Sequence, residues 1–392
     1  MNSNSLLKAT LPKIIIIIFI ITSTISAESI QCQAGIKSKE VKRIAWFATS
    51  KRPGFWPIVE KFIHESAKDI GVTIEVYYNM DPIDYINEVK KVINRKENPI
   101  DGVLFHNYKH LGEQLLKLTE DKSIPTLMFN AGFASSDNMG KPREKYKCWI
   151  GTMLPNDEKA GYQLTRILLE EANKNPNMIY DNKIHMVALE GNRASNASNL
   201  RLQGMKRALN EWKQKDTNPE VVLNQLFHSK WRRDLASIAF KLTQSRYPKV
   251  SVFWTAADVM AMGVLDAAKE MKKTPNKDFI TGGMDLLPNT LEEVEKGNIT
   301  ASVGAHYIEG AFALIALYDY LNGYDFATVG PTQFLTEMAV KVGKQEKSLP
   351  INNDTVQKQL ETIDFALLSN SHNGRTLPYK LDTQAILDKI WE

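Results

Sequence analysis

Residues 250–263 read VSVFWTAADVMAMG, a strand pattern followed directly by a helix pattern. The first four residues form a short run that is typical of a buried strand. After Asp258 the apolar residues recur at helical spacing as far as Ala267, which predicts a helix. Asp258 lies at the turn between them, where its carboxylate can cap the helix N-terminus. A strand that leads directly into a helix is the repeating unit of an α/β fold.

A second carboxylate follows the next strand pattern. Residues 279–285 read FITGGMD, a strand that ends in Asp285. Ligands of open α/β sheets bind just outside the carboxyl ends of the strands, so two carboxylates at neighbouring strand ends indicate one polar site. Capping alone explains Asp258 well. It explains Asp285 less well, because Leu286–Asn289 follows instead of an immediate helix pattern.

The same alternation runs outward along most of the chain. Before residue 150 it predicts strands over residues 44–48, 72–78, 102–105 and 124–129. After residue 151 it restarts and predicts strands over residues 184–189, 221–226, 250–254, 279–282 and 300–303. Helix patterns fill the gaps, so we expect an α/β protein with two Rossmann-like lobes and parallel sheets. The tail from about Gly343 is polar and irregular until Thr383–Trp391, which predicts a short amphipathic helix.

Composition and charge exclude one class of partner. The chain has 392 residues, of which 43% are hydrophobic and 24% charged, the composition of an ordinary globular protein long enough for two cores. Its net charge is +4 and no basic block occurs, so we expect no nucleic-acid partner.

The N-terminus has the pattern of an export signal. Lys8 and Lys13 precede an apolar run over residues 14–21, and small residues follow up to Ala27. This pattern predicts a signal peptide over residues 1–27 and a periplasmic mature protein. The alternative is a membrane anchor, but a span needs about 20 apolar residues.

Two cysteines remain after the predicted cleavage, Cys32 and Cys148. Cysteines commonly pair in an oxidising compartment, so we expect a disulfide between them, with two free thiols as the alternative.

No sequence motif indicates catalysis or a cofactor. The chain has no nucleophile elbow, phosphate loop, dinucleotide fingerprint or zinc-protease motif. His106 and His110 have the i,i+4 spacing of metal ligands but straddle a predicted strand end. We therefore expect a polar His106 facing a cleft, with no metal and no enzymatic activity.

Aromatic and polar residues instead cluster where predicted strands end. Flat aromatic faces with a few placed polar groups suit a sugar or a similar polyol. Phe55 or Trp56 has the alternative of lying in the core, and Arg193 that of an exposed loop charge. The other candidates of this kind are Asn130 and Trp231.

These features resemble the type I periplasmic binding proteins, the ribose- and galactose-binding group, which share their fold with the ligand cores of LacI-type repressors. The resemblance covers about residues 43–340. It rests on four motifs, PGFW at 53–56, LEG at 189–191, ADVMAMG at 257–263 and GMD at 283–285. A leader stands where a repressor has its DNA-binding helices, which disfavours the repressor branch.

The resemblance also assigns ligand contacts. It implies that Phe55 and Trp56 sandwich a sugar ring, that Trp231 covers the other face, and that Asp285 binds hydroxyl groups. The family's arginine aligns with Asn199, for which Arg193 or Arg201 can substitute. Further positions that it places at the ligand or the hinge are Asn130, Thr152, Asp258 and His306. The departures, such as Ala257 where the family has Asn, argue against ribose itself.

The resemblance implies three chain crossings between the lobes, near residues 150–154, 302–307 and 335–341. The N-terminal lobe would then comprise residues 28–152 plus about 306–338, and the C-terminal lobe residues 153–305 plus about 339–392. We expect a monomeric, exported solute-binding protein that closes around a sugar-like ligand and delivers it to the permease of an ABC importer. The alternative is a periplasmic receptor that presents its ligand to a membrane sensor kinase or chemoreceptor.

Overall fold

The computed structural model describes Cys32, residues 41–343 and residues 353–391. The predicted signal peptide, residues 1–27, lies outside the described residues. Within the described part of the chain, no helix is both long enough and apolar enough to cross a membrane.

Strands and helices alternate along both halves of the described chain. The strands are β1 (Arg43–Ala48), β2 (Thr73–Tyr78), β3 (Gly102–Phe105), β4 (Thr126–Phe129), β5 (Trp149–Pro155), β6 (Ile179–Tyr180), β7 (Lys183–Glu190), β8 (Glu220–His228), β9 (Val252–Thr255), β10 (Ile280–Asp285), β11 (Ala301–Gly304), β12 (Gln333–Thr336) and β13 (Ala339–Val342). The helices are α1 (Phe55–Ile70), α2 (Pro82–Asn94), α3 (Gly112–Glu120), α4 (Asp157–Lys174), α5 (Asn196–Lys213), α6 (Arg233–Arg246), α7 (Asp258–Glu270), α8 (Pro288–Glu295), α9 (Glu309–Leu321), α10 (Asn353–Leu360) and α11 (Thr383–Trp391).

The strands form two separate sheets. The first has the order β12-β5-β4-β3-β1-β2, and all of its pairings are parallel. The second has the order β13-β11-β10-β9-β7, and β7 also pairs with β8 and with the short β6. In the second sheet, β13 and β6 are antiparallel to their partners. The fold is therefore the two-lobed, mixed α/β architecture that the sequence predicts.

Helix packing follows from the apolar positions of the sequence. Helix α1 buries Val59, Phe62 and Ile63 on one face, and Gly71 ends it in the left-handed conformation with φ 70°. In the second lobe, a Cβ at Gly263 of α7 would lie 2.1 Å from the carbonyl oxygen of Arg233. Only glycine allows α7 to pack this closely against the start of α6.

The chain passes between the sheets three times. It leaves β5 of the first sheet and enters α4 of the second lobe. It returns after β11, through Ala305 with φ 69° and the 3-10 turn His306–Ile308, into α9. The last crossing joins β12 of the first sheet to β13 of the second.

The segment after residue 352 packs on the first lobe. Val356, Leu360 and Phe365 belong to the apolar cluster that contains α1 and α9, and α10 also contacts α8 of the second lobe. This placement differs from the expected assignment of residues 339–392 to the C-terminal lobe, while β13 pairs with β11 of the second sheet. The cause is a set of tertiary contacts with α9. Asp319, buried in α9, accepts hydrogen bonds from the Ser369 hydroxyl and from backbone N–H groups of the segment.

A disulfide joins Cys32 to Cys148, whose Cα atoms lie 5.0 Å apart. Cys148 directly precedes β5, so the bond attaches Cys32 to the amino end of that first-lobe strand. The Tyr320 hydroxyl donates a hydrogen bond to the Cys32 carbonyl oxygen.

Candidate functional site

The buried guanidinium of Arg201 forms the centre of a polar network where second-lobe strands end. Its Nε donates to Asp157 Oδ1 at 2.7 Å, and its Nη1 donates to the Ala256 carbonyl oxygen at 2.7 Å. Nη1 also lies 3.5 Å from Asp285 Oδ1, and Nη2 lies 3.2 Å from His306 Nε2. One side chain of α5 therefore joins the start of α4, the ends of β9 and β10, and His306 of the second crossing.

The contact with Arg201 fixes the tautomer of His306. A guanidinium has only donors, so Nε2 of a neutral His306 accepts and its proton lies on Nδ1. Burial lowers the pKa of His306 well below its usual range, and the Arg201 charge lowers it further. His306 Nδ1 has no partner among the described residues, so it is a free donor at neutral pH.

The two predicted carboxylates play different structural roles. Asp285 faces Arg201, and its Oδ1 lies 3.6 Å from His306 Nε2. Asp258 does not cap its own helix, contrary to the expectation. Its Oδ2 accepts from the Leu287 N–H at 2.8 Å, and its Oδ1 accepts from the Ser302 hydroxyl at 2.7 Å.

Asp258 thereby holds the turn that presents Asp285. That turn has positive φ at two non-glycine residues, 133° at Asp285 and 57° at Leu286, a conformation that needs support from its surroundings. Gly283 makes the approach possible, because a Cβ there would lie 2.4 Å from Asp258 Oδ1.

Burial dominates the electrostatics of both carboxyl groups. It raises the pKa of Asp258 to about 7, against the opposing hydrogen bonds from Leu287 and Ser302. It raises the pKa of Asp285 well above its usual range; Arg201 opposes this shift and the neighbouring Asp258 charge adds to it.

Aromatic side chains from both lobes lie against polar planar groups. Phe55 stacks on His306 with ring centroids 4.5 Å apart, and Trp56 stacks on His106 at 4.3 Å. Trp231 of the second lobe lies over Arg201, 5.5 Å from the guanidinium carbon to the ring centroid. The aromatic walls of the site thus come from both sides of the cleft.

Other predicted residues are buried near the strand ends of the first lobe. His106 and Thr152 are buried, and Asn130, directly after β4, has φ 65°. Burial lowers the pKa of His106 to about 3, so its ring is neutral. Neither His106 Nδ1 nor Thr152 Oγ1 has a hydrogen-bond partner within the described part of the chain.

Two predicted residues lie outside the buried network. Arg193 is exposed and its Nε donates to Glu190 Oε1 at 2.7 Å, while Asn199 is exposed and donates to the Arg193 carbonyl oxygen. The guanidinium at the centre is that of Arg201, which the sequence offered only as a substitute. Asp157 was missed, although its position just after the first crossing was a usable signal.

The lobes touch at the rims of the cleft. Asn196 of α5 donates from Nδ2 to the Phe133 carbonyl oxygen of the first lobe at 3.1 Å. A Cβ at Gly54, just before α1, would lie 3.1 Å from Cγ1 of Val259 in α7. With Phe55 stacked on His306, these contacts define a closed arrangement of the two lobes.

Two lobes, three crossings and a polar cleft at the carboxyl ends of parallel strands define the class of two-lobed binding proteins. Residues 44–325 match the periplasmic binding protein domain, and the chain belongs to that family. The family is one of periplasmic solute-binding proteins. No curated protein matches the chain.

Several solved structures share the fold. A periplasmic sugar-binding protein from Pseudomonas fluorescens is 24% identical, with a TM-score of 0.74 over 88% of this chain and 100% of that one. An ABC transporter periplasmic solute-binding protein from Actinobacillus succinogenes, with bound D-allose, is 16% identical, with a TM-score of 0.64 over 77% and 98% of the two chains. A fructose-binding periplasmic domain of a hybrid two-component system is 18% identical, with a TM-score of 0.62 over 77% and 90%.

Proposed function

We propose that this protein is an exported solute-binding protein that closes around a small, uncharged, sugar-like ligand and delivers it to an ABC importer. One observation carries the proposal: aromatic faces from both lobes flank a buried network of arginine, carboxyl and imidazole groups.

The chemistry of this network suits a polyol. Asp285 supplies acceptor oxygens for hydroxyl groups, and the unpartnered Nδ1 of His306 supplies a donor. The C–H faces of a sugar ring are apolar and stack on aromatic rings such as Phe55, Trp56 and Trp231. Arg201 is already paired with Asp157 and faces Asp285, so an anionic ligand would add a charge that this network leaves uncompensated.

Closure couples binding to delivery. The proposed contacts come from both lobes and from the second crossing, so the ligand interacts more strongly with the closed arrangement than with an open one. This difference in affinity is what a ligand needs to shift a population towards closure. The leader pattern and the family support export to the periplasm.

Binding to a panel of neutral sugars and polyols tests the proposal. The mature protein is titrated calorimetrically with D-allose, D-ribose, D-galactose, D-fructose, L-arabinose and myo-inositol, and with a sugar acid and an amino sugar for comparison. We expect one neutral compound to bind, to change tryptophan fluorescence and to raise the melting temperature. Binding of only a charged compound, or of none, would contradict the proposal.

A matched pair of tryptophan variants locates the site. Trp231→Ala should weaken binding of that compound strongly with a modest loss of stability, because the ring is half-buried. Trp254→Ala removes a fully buried core ring and should cost about 3–5 kcal/mol of unfolding free energy. Equal affinity in Trp231→Ala would remove that residue from the site.

The neighbouring genes distinguish transport from signalling. Permease and ATPase genes beside the coding gene would support transport, and a sensor-kinase gene would support the signalling role.

A further inference from the structure

The three crossings meet at a carboxyl group outside the ligand network. Glu309 opens α9 directly after the second crossing and is fully buried. Its Oε1 is hydrogen-bonded to the Thr336 hydroxyl, at the end of β12 where the third crossing begins. Thr336 Oγ1 also lies 3.4 Å from the Leu154 carbonyl oxygen, in the strand that leads into the first crossing. The backbone closes the same junction, since the Asn156 N–H donates to the Thr336 carbonyl oxygen at 2.9 Å.

The geometry indicates where the proton of this junction lies. The Thr336 hydroxyl has one hydrogen and two oxygen atoms within reach, so it can donate to only one of them. A protonated Glu309 resolves this conflict, because it donates to Thr336 and leaves the hydroxyl hydrogen for Leu154. Glu309 Oε2 has no hydrogen-bond partner among the described residues, and an ionised carboxylate buried with so few donors is strongly disfavoured.

The charged groups around Glu309 belong to the ligand network. Burial raises the pKa of Glu309 well above its usual range; the Thr336 hydrogen bond opposes this shift, the Asp157 charge adds to it, and Arg201 opposes it. Asp157, from α4, is held by Arg201 of α5, which in turn contacts Asp285 and His306. A negative charge on Glu309 would therefore compete with Asp157 for the single guanidinium of Arg201.

We propose that Glu309 is a positioning residue of the hinge: protonated, it connects the three crossings through Thr336 and leaves Asp157 to hold Arg201 in the ligand site. Opening of the lobes admits water to this junction and allows Glu309 to ionise. The closed arrangement then binds one more proton than the open one. Closure is favoured at low pH. As the pH rises, the equilibrium constant for closure falls by up to tenfold per pH unit, the limit for one proton.

Two variants separate this role from simple packing. Glu309→Gln replaces the protonated acid by an amide that can still donate to Thr336 but cannot ionise. Thr336→Val keeps the shape and removes the hydroxyl group. Glu337→Gln is the matched control, because Glu337 is the next residue of the same crossing and its side chain is 57% exposed.

The experiment follows two readouts between pH 5.5 and 9. Small-angle scattering of the ligand-free protein reports the fraction closed, and calorimetry reports the affinity for the neutral compound selected by the sugar panel. We expect Glu309→Gln to match the wild type at pH 6 and to lose affinity less steeply above pH 7. Thr336→Val should be more open and bind more weakly throughout, and Glu337→Gln should follow the wild type.

The outcomes that would overturn the proposal are specific. One is a pH dependence in Glu309→Gln equal to that of the wild type. Another is a Thr336→Val variant with wild-type closure and affinity. A third is an NMR titration that shows the Glu309 carboxyl group ionised at pH 6. Its side-chain resonance is assigned by its absence in Glu309→Gln. The affinity readout rests on the proposed function. If no compound of the panel binds, that function fails, while the scattering and resonance measurements still decide the role of Glu309.

Discussion

At the scale of single residues, the two carboxyl groups at the ends of β9 and β10 differ in what they hold. Asp258 is occupied by two protein donors, Leu287 N–H and the Ser302 hydroxyl. Asp285 instead faces Arg201 and His306, two groups of the buried polar network. A carboxylate whose partners are internal supports the fold, and one placed between a guanidinium and an imidazole is available to a ligand.

Substitution of both residues by asparagine tests this distinction. Asp285→Asn removes the charge and one acceptor, and a charge-assisted hydrogen bond contributes about 1.5–3 kcal/mol. We therefore expect the affinity for the ligand to fall by roughly ten- to a hundredfold. In Asp258→Asn the amide oxygen can still accept from Leu287 and the amide nitrogen can donate to Ser302, so affinity should remain close to that of the wild type. Calorimetric titration of both variants measures these two affinities. Unchanged affinity in Asp285→Asn would remove it from the site.

The residue scale also marks the limit of sequence reasoning about the site. The aromatic residues and Asp285 could be predicted because each follows a strand pattern directly. Arg201 could not be placed, because its partners Asp157 and His306 are 44 and 105 residues away in the sequence. The cap predicted for Asp258 is a local preference, and tertiary donors from two other segments of the chain override it.

At the scale of elements, the C-terminal segment is attached through one side chain of α9. Asp319 accepts from the Ser369 hydroxyl at 2.5 Å, from the Asn370 N–H at 2.7 Å and from the Tyr379 hydroxyl at 2.6 Å. The apolar residues of the C-terminal segment complete the core of the first lobe against α1. The alternation of strands and helices was readable from local patterns. The docking of this segment was not, because it depends on a carboxylate that precedes its partner Ser369 by 50 residues.

Removal of that carboxylate should release the segment. Asp319→Ala leaves four donors of the segment without their acceptor, and a loss of about 3–5 kcal/mol of unfolding free energy is typical of such a buried charged group. Limited proteolysis should then cleave between residues 353 and 391 while the second lobe remains intact. Asp364→Ala is the control, since Asp364 is exposed and caps only its own 3-10 turn through the Ala366 N–H. Equal protease resistance in Asp319→Ala and the wild type would contradict the assigned role.

The disulfide makes a separate contribution to the first lobe. Cys32 and Cys148 are separated by 116 residues in the sequence, and closing a loop of that length contributes about 5 kcal/mol in the chain-entropy model. We expect the Cys32→Ser, Cys148→Ser double variant to unfold at a clearly lower denaturant concentration than the wild type, with ligand affinity preserved. Thiol titration of the unfolded, non-reduced wild-type protein checks the bond itself, and two free thiols there would refute it.

At the scale of the whole molecule, the junction of the lobes contains more acids than bases. Asp157, Asp258, Asp285 and Glu309 are all buried with one arginine, and burial raises the pKa of each of the four. At a pH between the unfolded and the folded pKa, such groups are still protonated in the folded state but are ionised in the unfolded chain. Their contribution to stability is fully present below the unfolded pKa of about 4 and is lost as the pH rises through the folded pKa.

The buried imidazoles change the stability with pH in the opposite direction and over a different pH range. Burial lowers the pKa of His106 to about 3 and that of His306 well below its usual range. Their contribution is lost as the pH falls below the unfolded value of about 6.5. Between about pH 4 and 6.5 the two sets of groups therefore offset each other. Above about pH 7 the histidines are neutral in both states, and only the carboxyl groups continue to titrate.

We therefore expect the free energy of unfolding to fall between pH 7 and 9. Each carboxyl group that is protonated only in the folded state lowers it by about 1.4 kcal/mol per pH unit; burial raises the pKa of Asp258 to about 7 and that of Glu309 well above its usual range. Urea unfolding at pH 6, 7, 8 and 9 measures the slope. Asp258→Asn and Glu309→Gln should each flatten it, and Glu337→Gln, on an exposed pair with Lys159, should leave it unchanged. A wild-type stability that is constant or rises from pH 7 to 9 would mean that these carboxyl groups are already ionised at the junction of the lobes.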